Sequence, residues 1–229
     1  MLALEIANYI IFKHKLTTYK HSLGMEVMTY ENLIGWHGTT KIRQKSISSE
    51  FFNFNSYIFG KENQRQPNDL GNGIYFYLPF FNDKGNIIAQ QYVRKYKNKE
   101  LISNKTSVCL VKANIKYLKE KSLDLNNEDN VAFLEGISKL FEKELLEEMK
   151  NIRDDGAKQR AQQQADNKGL LIELVYQLYE KEHPEKKFDV VIKDTYTDIP
   201  HLKCDDKGNN GKEIAVRKLD LIEIIPKEE

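Results

Sequence analysis

A chain of 229 residues with 40% hydrophobic residues, 11 Phe and 12 Tyr among them, has enough apolar side chain for one core and reads as a single domain over 1–229. Its 35 Lys and Arg against 34 Asp and Glu leave a net charge of +1, which excludes a global pull toward nucleic acid or membrane and leaves only local patches for such contacts. The two cysteines, Cys109 and Cys204, lack CxxC spacing, so neither a disulfide framework nor a metal site is expected.

From the N-terminus, Leu2 to Phe12 reads as a short helix or strand without the basic start of a signal peptide. No run approaches the roughly 18 apolar residues of a membrane span, and the expected location is the cytoplasm. His14 and His21, among lysines, read as solvated. Residues 33–37 form a strand, after which Thr39 and Thr40 offer an N-cap to a helix from Lys41 to about Ser48. An irregular stretch, 50–70, holds the aromatic cluster Phe51, Phe52, Phe54, Tyr57 and Phe59, a piece of core. Ile74–Tyr77 is a strand, Pro79–Gly85 a turn, and Asn86–Lys97 a helix on the spacing of Ile88, Gln91, Tyr92 and Lys95. Its basic end, Arg94–Lys99, suits the helix dipole or could touch phosphate.

A strand over 106–118 is followed by an amphipathic helix, 128–150, with Val131, Leu134, Ile137, Phe141, Leu145 and Met149 on one stripe. Asp154–Gln164 is polar and reads as a hinge or helix continuation. Leu170–Glu182 is a second amphipathic helix stopped by Pro184. Strands at 188–192, 213–217 and 221–225 close the chain, with a loop over 194–212. Strands, then helices at about 120–183, then strands favour an α+β fold over alternating βαβ units. The helical insertion, needed by none of the chemistry below, reads as a target- or partner-recognition element or as a structural buttress.

Three short stretches carry chemistry. Gly71-Asn72-Gly73-Ile74-Tyr75-Phe76-Tyr77 is a tight loop opening an aromatic strand, where Gly73 permits close approach and a Tyr can offer its ring to a planar ligand. Trp36-His37-Gly38-Thr39-Thr40 ends another strand in His-Gly-Thr. Lys212-Glu213-Ile214-Ala215-Val216 opens a third with a Glu. Singly, each reads more simply as structure: His37 a core histidine, Tyr75 a core aromatic, Glu213 a charge blunting a sheet edge. His183, His201 and the Asp205–Asp206 pair read as solvated, and no metal ligands are assigned.

Together, in this order, the three stretches resemble the His-Tyr-Glu signature of the diphtheria-toxin-like and poly(ADP-ribose) polymerase-like ADP-ribosyltransferases, over about residues 33–115 and 186–226. The resemblance implies a split antiparallel β-sheet core with an α-helical insertion, and a mono-ADP-ribosyltransferase that uses NAD as co-substrate. It implies that His37 bonds the adenosine-side ribose, that Gly38 meets the nicotinamide amide with its backbone, and that Thr39 adds a supporting hydroxyl. Tyr75 would stack on nicotinamide, with Tyr92 as the second wall. Glu213 would bind the nicotinamide ribose and steady the ribosyl cation. Ala89 departs from the pattern, standing where the polymerases often carry a Ser.

The implied acceptor is a macromolecule, protein or nucleic acid, and the lone domain fits a bacterial or phage toxin or effector with an antitoxin or immunity partner. The alternative is a catalytically weak NAD- or ADP-ribose-binding module that acts through nucleic-acid or partner-protein binding.

Overall fold

The computed structural model describes residues 29–50, 52–53, 56–80, 85–152, 168–182, 187–196 and 208–226, with backbone alone at 48–50 and 178–182. The expected segment Leu2–Phe12, the hinge 154–164, Phe51, Phe54, His14, His21, His183, Pro184, His201, Cys204 and Asp205–Asp206 lie outside the described residues.

Alternating apolar residues make Tyr30–Thr40 the long strand β1, and Val108–Leu118 the equally long β3 beside it. The two pair antiparallel from Tyr30–Leu118 to Thr40–Val108. Ile74–Leu78 is β2, Ser122–Asp124 β4, Val190–Thr195 β5, Gly211–Val216 β6 and Ile222–Ile224 β7. They form one seven-stranded sheet in the order β4-β5-β6-β2-β1-β3-β7. Every neighbouring pair is antiparallel except β4–β5. The fold is α+β.

At the middle of this sheet β1 and β2 share a single pair, Trp36–Tyr77. The sheet is thus two halves, β4-β5-β6-β2 and β1-β3-β7, joined at a narrow seam. Ile74, Phe76, Ile214, Val216, Val190 and Ile192 from one half meet Val111, Ala113 and Ile115 from the other in a shared apolar cluster capped by Phe52.

Six helices complete the described chain: α1 Lys41–Glu50, α2 Asn86–Tyr96, α3 Asn98–Ser103, α4 Glu128–Leu140, α5 Glu142–Asn151 and α6 Lys168–Glu182. Three expectations are corrected. Thr39 and Thr40 belong to β1 and cap nothing; the Thr40 hydroxyl donates to Glu100 Oε1 at 3.0 Å instead. The helix expected over 128–150 is two helices, broken at Phe141, whose φ of −113° and ψ of 24° leave the helical region. The first of them does carry a side-chain cap, Asn127 accepting from the amides of Asp129 and Asn130.

The third correction concerns α6, which is not a one-stripe surface helix. Leu170, Leu171, Ile172, Glu173, Leu174 and Val175 are all buried. They pack with Leu134, Leu145, Ile152, Val191 and Ala215 in the largest core cluster. A helix apolar around its circumference is a core helix, so the insertion supplies much of the core on that face of the sheet. β4 also lies inside the stretch expected to be helical, and it extends the sheet rather than the insertion.

Candidate active site

Strands β6, β2 and β1 are neighbours, so the sheet brings together Glu213, Tyr75 and His37 from three distant stretches. Glu213 is the third residue of β6, inside the strand rather than opening it. It pairs with Tyr77 on one side and Lys193 on the other, while Tyr75 pairs with Ala215. Side chains alternate faces along a strand, so Tyr75, Tyr77, Glu213, Lys193 and Thr195 share one face. The pair Trp36–Tyr77 places Trp36 and Gly38 on that face too and His37 on the other.

His37 accordingly turns into the seam. Its ring packs edge-on to Phe52 at 5.3 Å and to Phe76 at 5.9 Å. With Nδ1 2.8 Å from the Tyr75 carbonyl oxygen, the chemistry requires that Nδ1–H donate and Nε2 hold the free lone pair. Burial lowers its pKa to about 4, with the Lys97 and Arg43 cations pushing the same way against the Tyr75 bond. At neutral pH the imidazole is uncharged.

Tyr75 is held at its far end as well. Its hydroxyl accepts from Leu70 N and donates to Gly71 O, both at 2.9 Å. Burial keeps the phenol protonated, its pKa well above the ordinary value. Tyr75→Phe leaves that amide and that carbonyl without a partner, a cost of about 1–3 kcal/mol for a buried group. The expected result is a lower unfolding midpoint for Tyr75→Phe in urea, together with weaker ligand retention. An unchanged midpoint would show that the hydroxyl does not secure the 70–71 loop.

Glu213 is the acid of this face. Its Oε1 accepts from Thr195 Oγ1 at 3.0 Å. Burial raises its pKa to about 7, the Thr195 bond opposing, the Asp69 carboxylate adding and Lys193 subtracting. Tyr92, on α2, comes to the same place from above. Its ring lies 5.9 Å from Tyr77 and 4.9 Å from Tyr96. Burial raises its pKa, and the Glu213 charge raises it further.

Gly38 lies against α2: a Cβ there would come within 2.3 Å of Ala89 O and 2.8 Å of Val93 Cγ2. Ala89 is fully buried in that contact. Glycine at 38 and a small residue at 89 therefore let α2 lie on β1, bringing Tyr92 down to the face of Tyr75 and Glu213. Thr39 is 1% exposed. Its Oγ1 has no hydrogen-bond partner. Gly73 backs onto β6, where a Cβ would meet Val216 O at 2.9 Å.

Thr195, Lys193 and Asp69 are site residues the sequence reading missed. Thr195 fell in the expected loop 194–212, whose first two residues, Asp194 and Thr195, are the last two of β5. The signal available was the strand pairing itself, since a residue two along from Lys193 must return to the face of Glu213.

The loop before Tyr75 is tied to the insertion. Asn72 bonds both backbone groups of Tyr57, Oδ1 accepting from N at 2.8 Å and Nδ2 donating to O at 2.9 Å. Tyr57 OH in turn donates to Glu148 of α5, which also accepts from Gly60 N at 3.0 Å. Among the described residues no group of three or more His, Cys, Asp or Glu could hold a metal ion, and no helix is long and apolar enough to cross a membrane.

Comparison with family models, with curated proteins and with solved structures gives no match.

Proposed function

We propose that this protein is a mono-ADP-ribosyltransferase that cleaves NAD at the nicotinamide–ribose bond and transfers ADP-ribose to a macromolecular acceptor. The observation that carries the reading is one shared face on which Tyr75, Tyr92 and a high-pKa Glu213 converge, with a neutral His37 on the opposite face bonded to the Tyr75 carbonyl. Cleavage of the C1′–N bond sends its electron pair to neutral nicotinamide and leaves an oxocarbenium-like ribose. Tyr75 and Tyr92 would flank the leaving ring and Gly38 would offer its backbone, while His37, from the opposite face, would hold the Tyr75 carbonyl and so position that strand. The Glu213 carboxylate supplies negative charge where the cation develops and takes the proton of the acceptor group as it bonds to C1′.

Of the two acceptor classes, nucleic acid is favoured by the local charge. Lys41, Arg43 and Lys45 of α1 and Arg94, Lys95 and Lys99 of α2–α3 are exposed, Lys95 lies 5.4 Å over the ring of Tyr96, which is 54% exposed, and Arg43 pairs with Glu100. Lys41, Lys45 and Lys105 line a cleft of about 420 Å³. Cations beside an exposed ring suit a phosphate backbone and a stacked base. The same reading extends to a toxin or effector held in check by an antitoxin or immunity partner.

The test is incubation with adenylate-labelled NAD and total cell extract. Label released by nuclease and not by protease is expected. Release by protease alone would make the acceptor a protein. Saturable NAD binding with neither transfer nor hydrolysis would replace the enzyme by the binding-module alternative.

A further inference from the structure

Glu173 of α6 has a fully buried carboxylate that accepts five hydrogen bonds, two each from Asn72 and Arg217 and one, at 3.4 Å, from Gln177 Nε2. Oε1 accepts from the Asn72 amide at 2.6 Å and from Arg217 Nη1 at 2.7 Å. Oε2 accepts from Asn72 Nδ2 at 2.7 Å and Arg217 Nη2 at 2.9 Å. Arg217 is itself clamped, its guanidinium 3.7 Å above the Tyr176 ring. Asn72 stands three residues before Tyr75, and Arg217 four residues after Glu213. One carboxylate therefore joins the chain leading into β2 to the chain leaving β6.

The fit is tight on the loop side. Gly71 has φ +78°, and a Cβ there would lie 2.3 Å from Glu173 Oε1, so only glycine lets the loop reach the carboxylate. The same Gly71 carbonyl, with the Leu70 amide, holds the Tyr75 hydroxyl. A buried ion pair adds little net stability over apolar residues of equal volume, but a bidentate fork fixes direction.

We infer that Glu173 is a positioning residue for the site: acting through Asn72 and Arg217, it sets the Tyr75 ring and the Glu213 carboxylate relative to one another. The inference rests on the NAD reading of that site, and it makes the helical insertion part of the catalytic scaffold. Its two arms act on different steps. The Asn72 arm governs the ring that holds the ligand, and the Arg217 arm governs the charge that meets the transition state.

The test uses the full chain and NAD hydrolysis without acceptor. Asn72→Ala removes the side-chain arm, together with the two Asn72 bonds to the Tyr57 backbone, and leaves the Glu173–Arg217 pair; it is expected to raise KM for NAD on the order of tenfold with kcat within about threefold. Arg217→Lys keeps the charge and loses the fork; it is expected to lower kcat on the order of tenfold with KM little changed. Asn72→Ser replaces Asn72→Ala if the latter does not fold. Reduced thermal stability with wild-type kcat and KM in both variants overturns the inference and leaves a plain buttress.

If the wild-type chain neither binds nor hydrolyses NAD, the functional reading fails, and amide hydrogen exchange then decides the positioning claim. Asn72→Ala should speed exchange at 213–217 as well as at 70–75. Faster exchange confined to 70–75 overturns it.

Discussion

Glu213→Gln is expected to reduce ADP-ribosyl transfer and NAD hydrolysis by about 100–1000-fold, the usual loss when one preorganised electrostatic group is removed. NAD affinity should move far less, because the substitution keeps the size and the hydrogen-bonding reach of the side chain. The pH profile gives a second readout. With its carboxyl raised to about 7 by burial, Glu213 ionises within the working range, so wild-type kcat/KM should rise with pH and level off above that value. The rising limb should vanish in the variant.

Stability should move the opposite way with pH. Between the ordinary 4.5 and the folded value of about 7, the folded chain holds a proton that the unfolded chain has lost. Glu213 thus contributes stability at low pH that is lost as pH rises through 7. The Tm of Glu213→Gln relative to wild type should therefore climb between pH 5 and pH 8. Retained activity in Glu213→Gln beside an inactive His37→Ala would remove Glu213 from the site.

Glu173→Leu is expected to cost about 3–5 kcal/mol, the penalty for stranding a buried partner charge. For a chain of this size that is a Tm loss on the order of 10 °C. Adding Arg217→Met should restore most of the loss, because the double variant strands no charge. Urea midpoints for the two single variants and the double close a mutant cycle. A double variant no more stable than Glu173→Leu would show that the Asn72 bonds, rather than the ion pair, carry the cost.

The strands of the site were legible because each is a short apolar run bounded by glycine or charge. The expected strands 33–37 and Ile74–Tyr77 lie within β1 and β2, and the expected 213–217 overlaps β6, which starts two residues earlier and ends at Val216. Motif order also located Tyr75 and Glu213 near one another. It could not say that His37 faces away from them, because that depends on which residue of β1 opposes Tyr77. The break at Phe141 was hidden because Phe141, Leu145 and Met149 continue the helical period across it, with no glycine or proline to mark it.

The Glu173 network left no trace in local pattern. Its members are 101 and 44 residues apart, and each alone reads as an ordinary polar residue. The insertion reads as a recognition element or buttress because none of the motif residues lies in it; the tie from Glu173 to the site is visible only once the chain is folded.

The seam between β1 and β2 has a consequence for assembly. A slip of one residue turns every side chain of a strand to the opposite face. In the ladder between β1 and β2, the single Trp36–Tyr77 pair sets the register of one half-sheet against the other. The bond from the His37 ring to the Tyr75 carbonyl is a second pin, 2.8 Å long, set one step further along. His37 would then protect the chain from misassembly before any substrate arrives. A chain lacking this imidazole risks folding with Trp36 and Gly38 turned away from the face of Tyr75 and Glu213, a compact product whose site is incomplete.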